Sequence, residues 1–104
     1  MSREKQQLKD TIISLNEILE LFYQQNNSEA FEKFDEVILE VTKTIDGLER
    51  YKNEHQNFEM DEEKICRILT EAMQALQSSD SVLMSDILQY DFVEYMNEIL
   101  ENME

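Results

Sequence analysis

The stretch that decides the fold is Phe31-Glu32-Lys33-Phe34-Asp35-Glu36-Val37-Ile38-Leu39-Glu40-Val41-Thr42-Lys43-Thr44-Ile45-Asp46-Gly47-Leu48. Phe31, Phe34, Ile38, Val41, Ile45 and Leu48 alternate in spacings of three and four, which lines them on one face of a helix as a core seam. Gly47 inside the seam is expected to cost about 1 kcal/mol relative to alanine, weakening the helix locally without ending it. The helix then runs to about Lys52.

Upstream, Leu8, Ile12, Leu15, Leu19 and Phe22 follow the same periodicity and predict a first helix over about residues 3 to 25. The polar run Gln24-Gln25-Asn26-Asn27-Ser28 breaks it. Asn26 with Glu29 has capping-box spacing, and Ser28 is an equally good cap.

Downstream, residues 53–60 lose the period and form the longest connection. Asp61 is a good N-cap, and Glu62 and Glu63 in the first turn suit the helix dipole. Met60 and Ile65 have the spacing of a hydrophobic staple across that cap. A third helix carries Ile65, Leu69, Ala72 and Leu76 on one face and stops near Gln77. Ser78-Ser79-Asp80 repeats the turn chemistry of the first connection, and a fourth helix runs from about Ser81 to Asn102.

Proline is absent and Gly47 is the only glycine, so the usual punctuation of hairpins and strands is missing. The chain therefore reads as a single all-α domain over residues 1–104, an antiparallel four-helix bundle made of two helical hairpins. A three-helix bundle with a frayed first helix is the alternative.

The formal charge of −15 is unevenly placed. All nine Lys and Arg lie at or before Arg67, while residues 68–104 carry eight acids and no base. That field repels nucleic acid and anionic membranes and attracts basic partners over a Debye length of about 10 Å; plain solubility is the other reading. Cys66 is the lone cysteine, so there is no intrachain disulfide, which fits a reducing cytoplasm. The polar start Met1-Ser2-Arg3-Glu4-Lys5 gives no expectation of a signal peptide, and no apolar run approaches the roughly 20 residues that span a bilayer.

The fourth helix differs from the others. On a helical wheel Leu88, Phe92, Tyr95, Ile99 and Met103 form the core stripe, with Met84, Met96 and Leu100 at its borders. Leu83, Ile87 and Tyr90 fall on roughly the opposite side, among Asp86, Asp91 and Glu94. Two explanations stand. Either the first half of this helix is buried more deeply, under the 53–60 loop, or these residues form an exposed apolar strip rimmed by carboxylates, suited to a partner helix or to self-association. Ile13 and Leu39 also lie off their stripes, but singly, which is common. Glu98, Glu101 and Glu104 crowd the negative end of the helix dipole, so this terminus is expected to fray unless a basic surface neutralises it.

Asp80-Ser81-Val82-Leu83-Met84-Ser85-Asp86-Ile87-Leu88-Gln89-Tyr90-Asp91 resembles a motif of an uncharacterised group of small helical bacterial proteins: Asp, a spacer, Val-Leu, a short gap, Asp-Ile/Leu-Leu, one residue, Tyr, then an acid. The resemblance covers about a dozen residues of one helix and implies an all-helical fold with no assigned activity. In length, acidity and helical-hairpin arrangement, though in no shared motif, the chain is also similar to flagellar export chaperones. That likeness implies wrapping of a client's helical end.

Nothing in the sequence assembles a catalytic site. His55 is the sole histidine and is expected to be a solvated loop side chain. Cys66, beside Arg67 and near Lys64, reads as a packed or half-buried thiol. The chain lacks Glu-x-x-His pairs, a calcium loop and a glycine-rich phosphate loop, so neither metal nor cofactor is expected. The expectation is a non-enzymatic adaptor or chaperone-like module that binds a basic or amphipathic helical protein partner through Leu83, Asp86, Ile87, Tyr90, Asp91 and Glu94. The alternatives are a homodimeric structural bundle and an acidic nucleic-acid mimic that occupies a basic groove.

Overall fold

A computed structural model of the chain describes residues 2–103; the charge expected from Glu104 lies outside the described residues. The chain is all-helical, with no strand among the described residues. α1 (Arg3–Tyr23), α2 (Asn27–Glu54) and α3 (Glu62–Gln77) are followed by one continuous C-terminal helix in three parts. These are α4 (Ser81–Asp86), a π-helical segment (Ile87–Val93) and α5 (Glu94–Glu101).

The two short connections are built alike. Gln25 (φ 62°) and Ser79 (φ 60°) both take the left-handed conformation that glycine usually supplies after a helix. After α1, Gln25 N donates to Phe22 O at 3.0 Å and Asn26 N to Leu21 O at 2.9 Å. After α3, Ser79 N donates to Leu76 O and Asp80 N to Ala75 O, both at 2.9 Å. Each pair closes a Schellman motif and satisfies carbonyls that the helix end leaves open.

The following N-caps differ. Asp80 Oδ1 accepts from Leu83 N at 2.9 Å, and Asp61 Oδ1 from Lys64 N at 3.0 Å. Asn26 forms no such bond. Its Nδ2 donates to Glu29 Oε2 at 2.8 Å, so the expected capping box does not form, because the amide is committed to the Glu29 carboxylate.

α1 buries the expected Leu8, Ile12, Leu15, Leu19 and Phe22, together with Thr11 and Ile18. The seam of α2 needs correction. Phe31 is 42% exposed, and Ile38 and Ile45 are only half-buried. The buried face is turned toward Ala30, Phe34, Val37, Val41, Thr44, Leu48 and Tyr51. Small residues explain the rotation: Ala30, Thr44 and Gly47 let α1 come close, and a Cβ on Gly47 would stand 3.1 Å from Gln7 Oε1. A seam read from large apolar side chains passes over them. Phe31 still meets Phe22 edge to face at 5.1 Å from the rim of this face. In α3, likewise, Ile68 and Ala75 join Ile65 and Ala72 in the core, while Leu69 and Leu76 are half-buried.

The connection after α2 is a structural plug and not a bare loop. Phe58 and Met60 are buried in the same connected core as the helices, the Phe58 ring edge-on to Tyr51 at 4.8 Å. His55 is half-buried and stacked on Tyr51 at 3.8 Å, with Nδ1 donating to the Tyr51 carbonyl at 2.9 Å. This corrects the expectation of a solvated histidine: the ring closes the end of α2.

α1 packs against both α2 and all three parts of the C-terminal helix, while α3 packs against α4 and the π segment. The molecule measures 41 × 24 × 19 Å, and α2, at about 1.5 Å per residue, runs its full length. Lys5 of α1 reaches the far terminus, its Nζ donating to the Met103 carbonyl at 3.4 Å. The base missing from the C-terminal helix is thus provided by the first turn of α1, which offsets the dipole charge expected to fray that end.

Candidate functional site

The C-terminal helix explains itself through its core spacing. Met84, Leu88, Phe92, Met96, Ile99 and Met103 are buried, at intervals of four, four, four, three and four. On an ideal α-helix each interval of four overshoots a full turn by about 40°, so three in succession would carry the stripe away from the core. The π segment Ile87–Val93 takes up that drift, because its wider turns return every fourth side chain toward the same face. Tyr95, expected in the stripe, is displaced to its edge and half-buried. There its hydroxyl accepts from Asp61 N at 2.9 Å, and Lys64 Nζ sits 4.3 Å from its ring centroid, tying the start of α3 to the end of the C-terminal helix.

On the outer face Val82 is 67%, Leu83 48% and Tyr90 61% exposed. Ile87 is half-buried and packs against the core. The loop does not cover these residues; Glu59, Met60 and Asp61 lie instead beside Tyr95, Glu98 and Ile99, near the other end of the helix.

Two adjoining clefts run between α3 and the C-terminal helix and share Glu71. One, of about 490 Å³, is lined by Ala75, Leu83 and Ile87 with Asp80 and Ser78 at its end. The other, of about 320 Å³, is lined by Lys64, Arg67, Ile68, Tyr90, Asp91 and Glu94. Five of the six residues singled out from the sequence therefore line one groove. Asp86 does not. It is half-buried and accepts a 2.9 Å hydrogen bond from the Tyr23 hydroxyl of α1.

That contact perturbs Tyr23, whose pKa is raised to about 12 by partial burial first, then by the hydrogen bond to Asp86 and by the charges of Asp86 and Tyr90. The residues passed over at the sequence level are Val82 on the helix itself and, from α3, Lys64, Arg67, Glu71 and Ala75. Lys64 and Arg67 did carry a signal, as the last two bases before the base-free third of the chain.

No reactive constellation accompanies the groove. Cys66 is exposed on α3, not packed or half-buried as expected, because the buried face of that helix passes through Ile65 and Ile68 on either side of it. Among the described residues no three His, Cys, Asp or Glu side chains converge as a metal site, and every buried side-chain polar atom has a hydrogen-bond partner. Among the described residues no helix is long and apolar enough to cross a membrane.

No curated protein and no solved structure shows significant similarity to the chain. A family model does: it describes a domain of unknown function, DUF8042, it matches residues 1–102, and the chain belongs to that family.

Proposed function

We propose that the protein is a non-enzymatic binding module, adaptor or chaperone-like, that engages a basic or amphipathic helical segment of another protein through its C-terminal helix. The observation that carries this is the exposure of Leu83 and Tyr90 beside Asp91 and Glu94, on a helix that has no base of its own. Exposed apolar side chains grouped with carboxylates suit a ligand that is apolar on one stripe and positive on its flanks. The π segment is consistent with the same use, since such turns cluster at functional sites. In this reading the four helices form an antiparallel bundle of two hairpins, which the two three-residue turns favour, in a single domain that works in a reducing, cytoplasmic compartment of a bacterial cell.

Homodimerisation through the same strip is disfavoured by charge, because a two-fold contact would bring Asp91 and Glu94 of one copy toward those of the other. Mimicry of nucleic acid leaves the apolar strip unused.

The test is affinity capture of partners with the immobilised protein at low and high salt, beside Leu83→Asp and Tyr90→Ala. Both side chains are exposed, and an aspartate in the first turn of α4 suits the helix dipole, so both variants should keep wild-type helicity and melting temperature. Loss of capture in these folded variants supports the reading. Undiminished capture by both removes its site.

A further inference from the structure

Between the solvent sides of α1 and α2 lies an open cleft of about 580 Å³, within the range of small-molecule sites, and all of its lining residues are polar. Acids outnumber bases 24 to 9 in the chain, yet here Arg3, Lys43 and Arg50 meet only Asp10 and Asp46. None of the three basic side chains makes an ion pair or a hydrogen bond among the described residues. Asp10 is partly committed, since its Oδ1 accepts from Gln6 Nε2 at 2.9 Å. The pairing of the two helices orders these groups along the cleft. Thr11 bonds Thr44, Ser14 bonds Glu40 and Gln7 lies over Gly47, so Arg3 falls opposite Arg50 while Asp10 falls opposite Lys43. Gly47 is the floor at the arginine end. A Cβ there would stand 3.1 Å from Gln7 Oε1 and 3.6 Å from both Arg50 Nη2 and Glu4 Cγ, so the Arg50 guanidinium is folded back over the glycine beside Gln7.

We propose that this cleft binds a phosphorylated small molecule that also carries hydroxyl groups, its phosphate held by Arg3, Arg50 and the Gln7 amide and its hydroxyls donating to Asp46 and Asp10. Guanidinium forks match phosphate oxygens two at a time, and here two uncommitted forks come from two different helices onto one end of the cleft. Lys43 adds a third positive charge toward the other end. With Glu4 beside the floor, three carboxylates balance the three bases, so a bare anion gains little net attraction. The ligand must bring donors for the carboxylates as well as an acid for the guanidiniums, as a sugar phosphate does. An apolar helix finds no side chain to pack on here, and a basic peptide meets the three bases. The field of the −15 chain is screened beyond about 8 Å at physiological salt, so it slows the approach of an anion more than it weakens contact inside the cleft. This site is separate from the groove of the C-terminal helix, and neither reading depends on the other.

The experiment titrates the full chain with ribose 5-phosphate, inorganic phosphate and ribose while following amide resonances. Gly47, the only glycine, gives a single readily assigned signal at the cleft floor. Ribose 5-phosphate should shift it saturably at a concentration about tenfold lower than inorganic phosphate requires, and ribose should not shift it. Arg3→Gln/Arg50→Gln should weaken ribose 5-phosphate by at least about tenfold, with helicity and melting temperature kept because both side chains are exposed. Asp46→Asn should tighten inorganic phosphate and shrink the advantage of ribose 5-phosphate over it. Leu83→Asp should change none of these affinities. No saturable shift with either phosphate, or binding undiminished in the folded double arginine variant, would overturn the inference. Equal affinity for the two phosphates would overturn it too, by reducing the cleft to a general anion site.

Discussion

The Tyr23 hydroxyl donates to Asp86 Oδ1 at 2.9 Å, joining the last turn of α1 to the end of α4 across 63 residues of sequence. Partial burial and the Asp86 carboxylate push the tyrosine's pKa up to about 12 in the folded chain, above the ordinary 10.0 of a phenol. A group whose folded pKa is raised contributes its full stabilisation below the unfolded value and loses it as pH rises through the folded one. The contribution of Tyr23 is therefore intact below pH 10 and disappears toward pH 12. Tyr23 is 45% exposed, so solvent screening keeps its worth at neutral pH to roughly 0.5 kcal/mol. Ultraviolet titration of the phenols should show a late-ionising component that is lost in Tyr23→Phe and shifts down in Asp86→Asn.

Deleting Gln89 should straighten the C-terminal helix. The buried positions then fall at intervals of four, three, four, three and four, the pattern a regular α-helix satisfies without a π turn. We expect a folded protein with unchanged or higher melting temperature. The core positions keep facing inward on both sides of the deletion, so Leu83 keeps its bearing on Asp91 and Glu94 to within a small fraction of a turn and partner capture should persist. Lost capture by the folded variant would show that the π segment itself shapes the binding face.

The two left-handed residues offer a stabilising change. Gln25→Gly and Ser79→Gly each place glycine where φ is already positive, and each should raise stability by about 0.5–1 kcal/mol. Asp80→Ala should do the opposite by about 1 kcal/mol, because the bond to Leu83 N is lost. Urea unfolding of the three variants measures both signs.

Thr11 and Thr44 share a buried hydroxyl pair at 2.6 Å between α1 and α2. Replacing one by valine strands the other and should cost about 1–3 kcal/mol, whereas the double valine variant should recover much of that. A double-mutant cycle with strictly additive losses would show that the hydroxyls do not act as a pair.

The residues of the groove were legible in the helical wheel, because Leu83, Ile87 and Tyr90 cannot share a stripe with Leu88 and Phe92 on any regular helix. Their exposure was not, since a second apolar face suits deep burial equally well until neighbouring elements are placed. The 53–60 connection packs Phe58 and Met60 into the core and lies near Tyr95 and Ile99 instead of over these residues. The opposite wall of the groove was also hidden, because pairing Ala75 with Leu83 and Lys64 with Tyr95 requires knowing how α3 lies on the C-terminal helix.

The sequence by itself determined that the chain is helical, where its turns fall and that its last third is purely acidic, because periodicity, capping residues and charge are local properties. Tertiary structure alone decided which face of α2 meets α1, since that depends on how closely the backbones pass at Ala30, Thr44 and Gly47. It also decided that Asp86 is bound to Tyr23 while Asp91 and Glu94 stay exposed along a cleft. Three carboxylates alike in sequence differ there because hydrogen bonds and solvent access belong to neighbours that only the fold brings together.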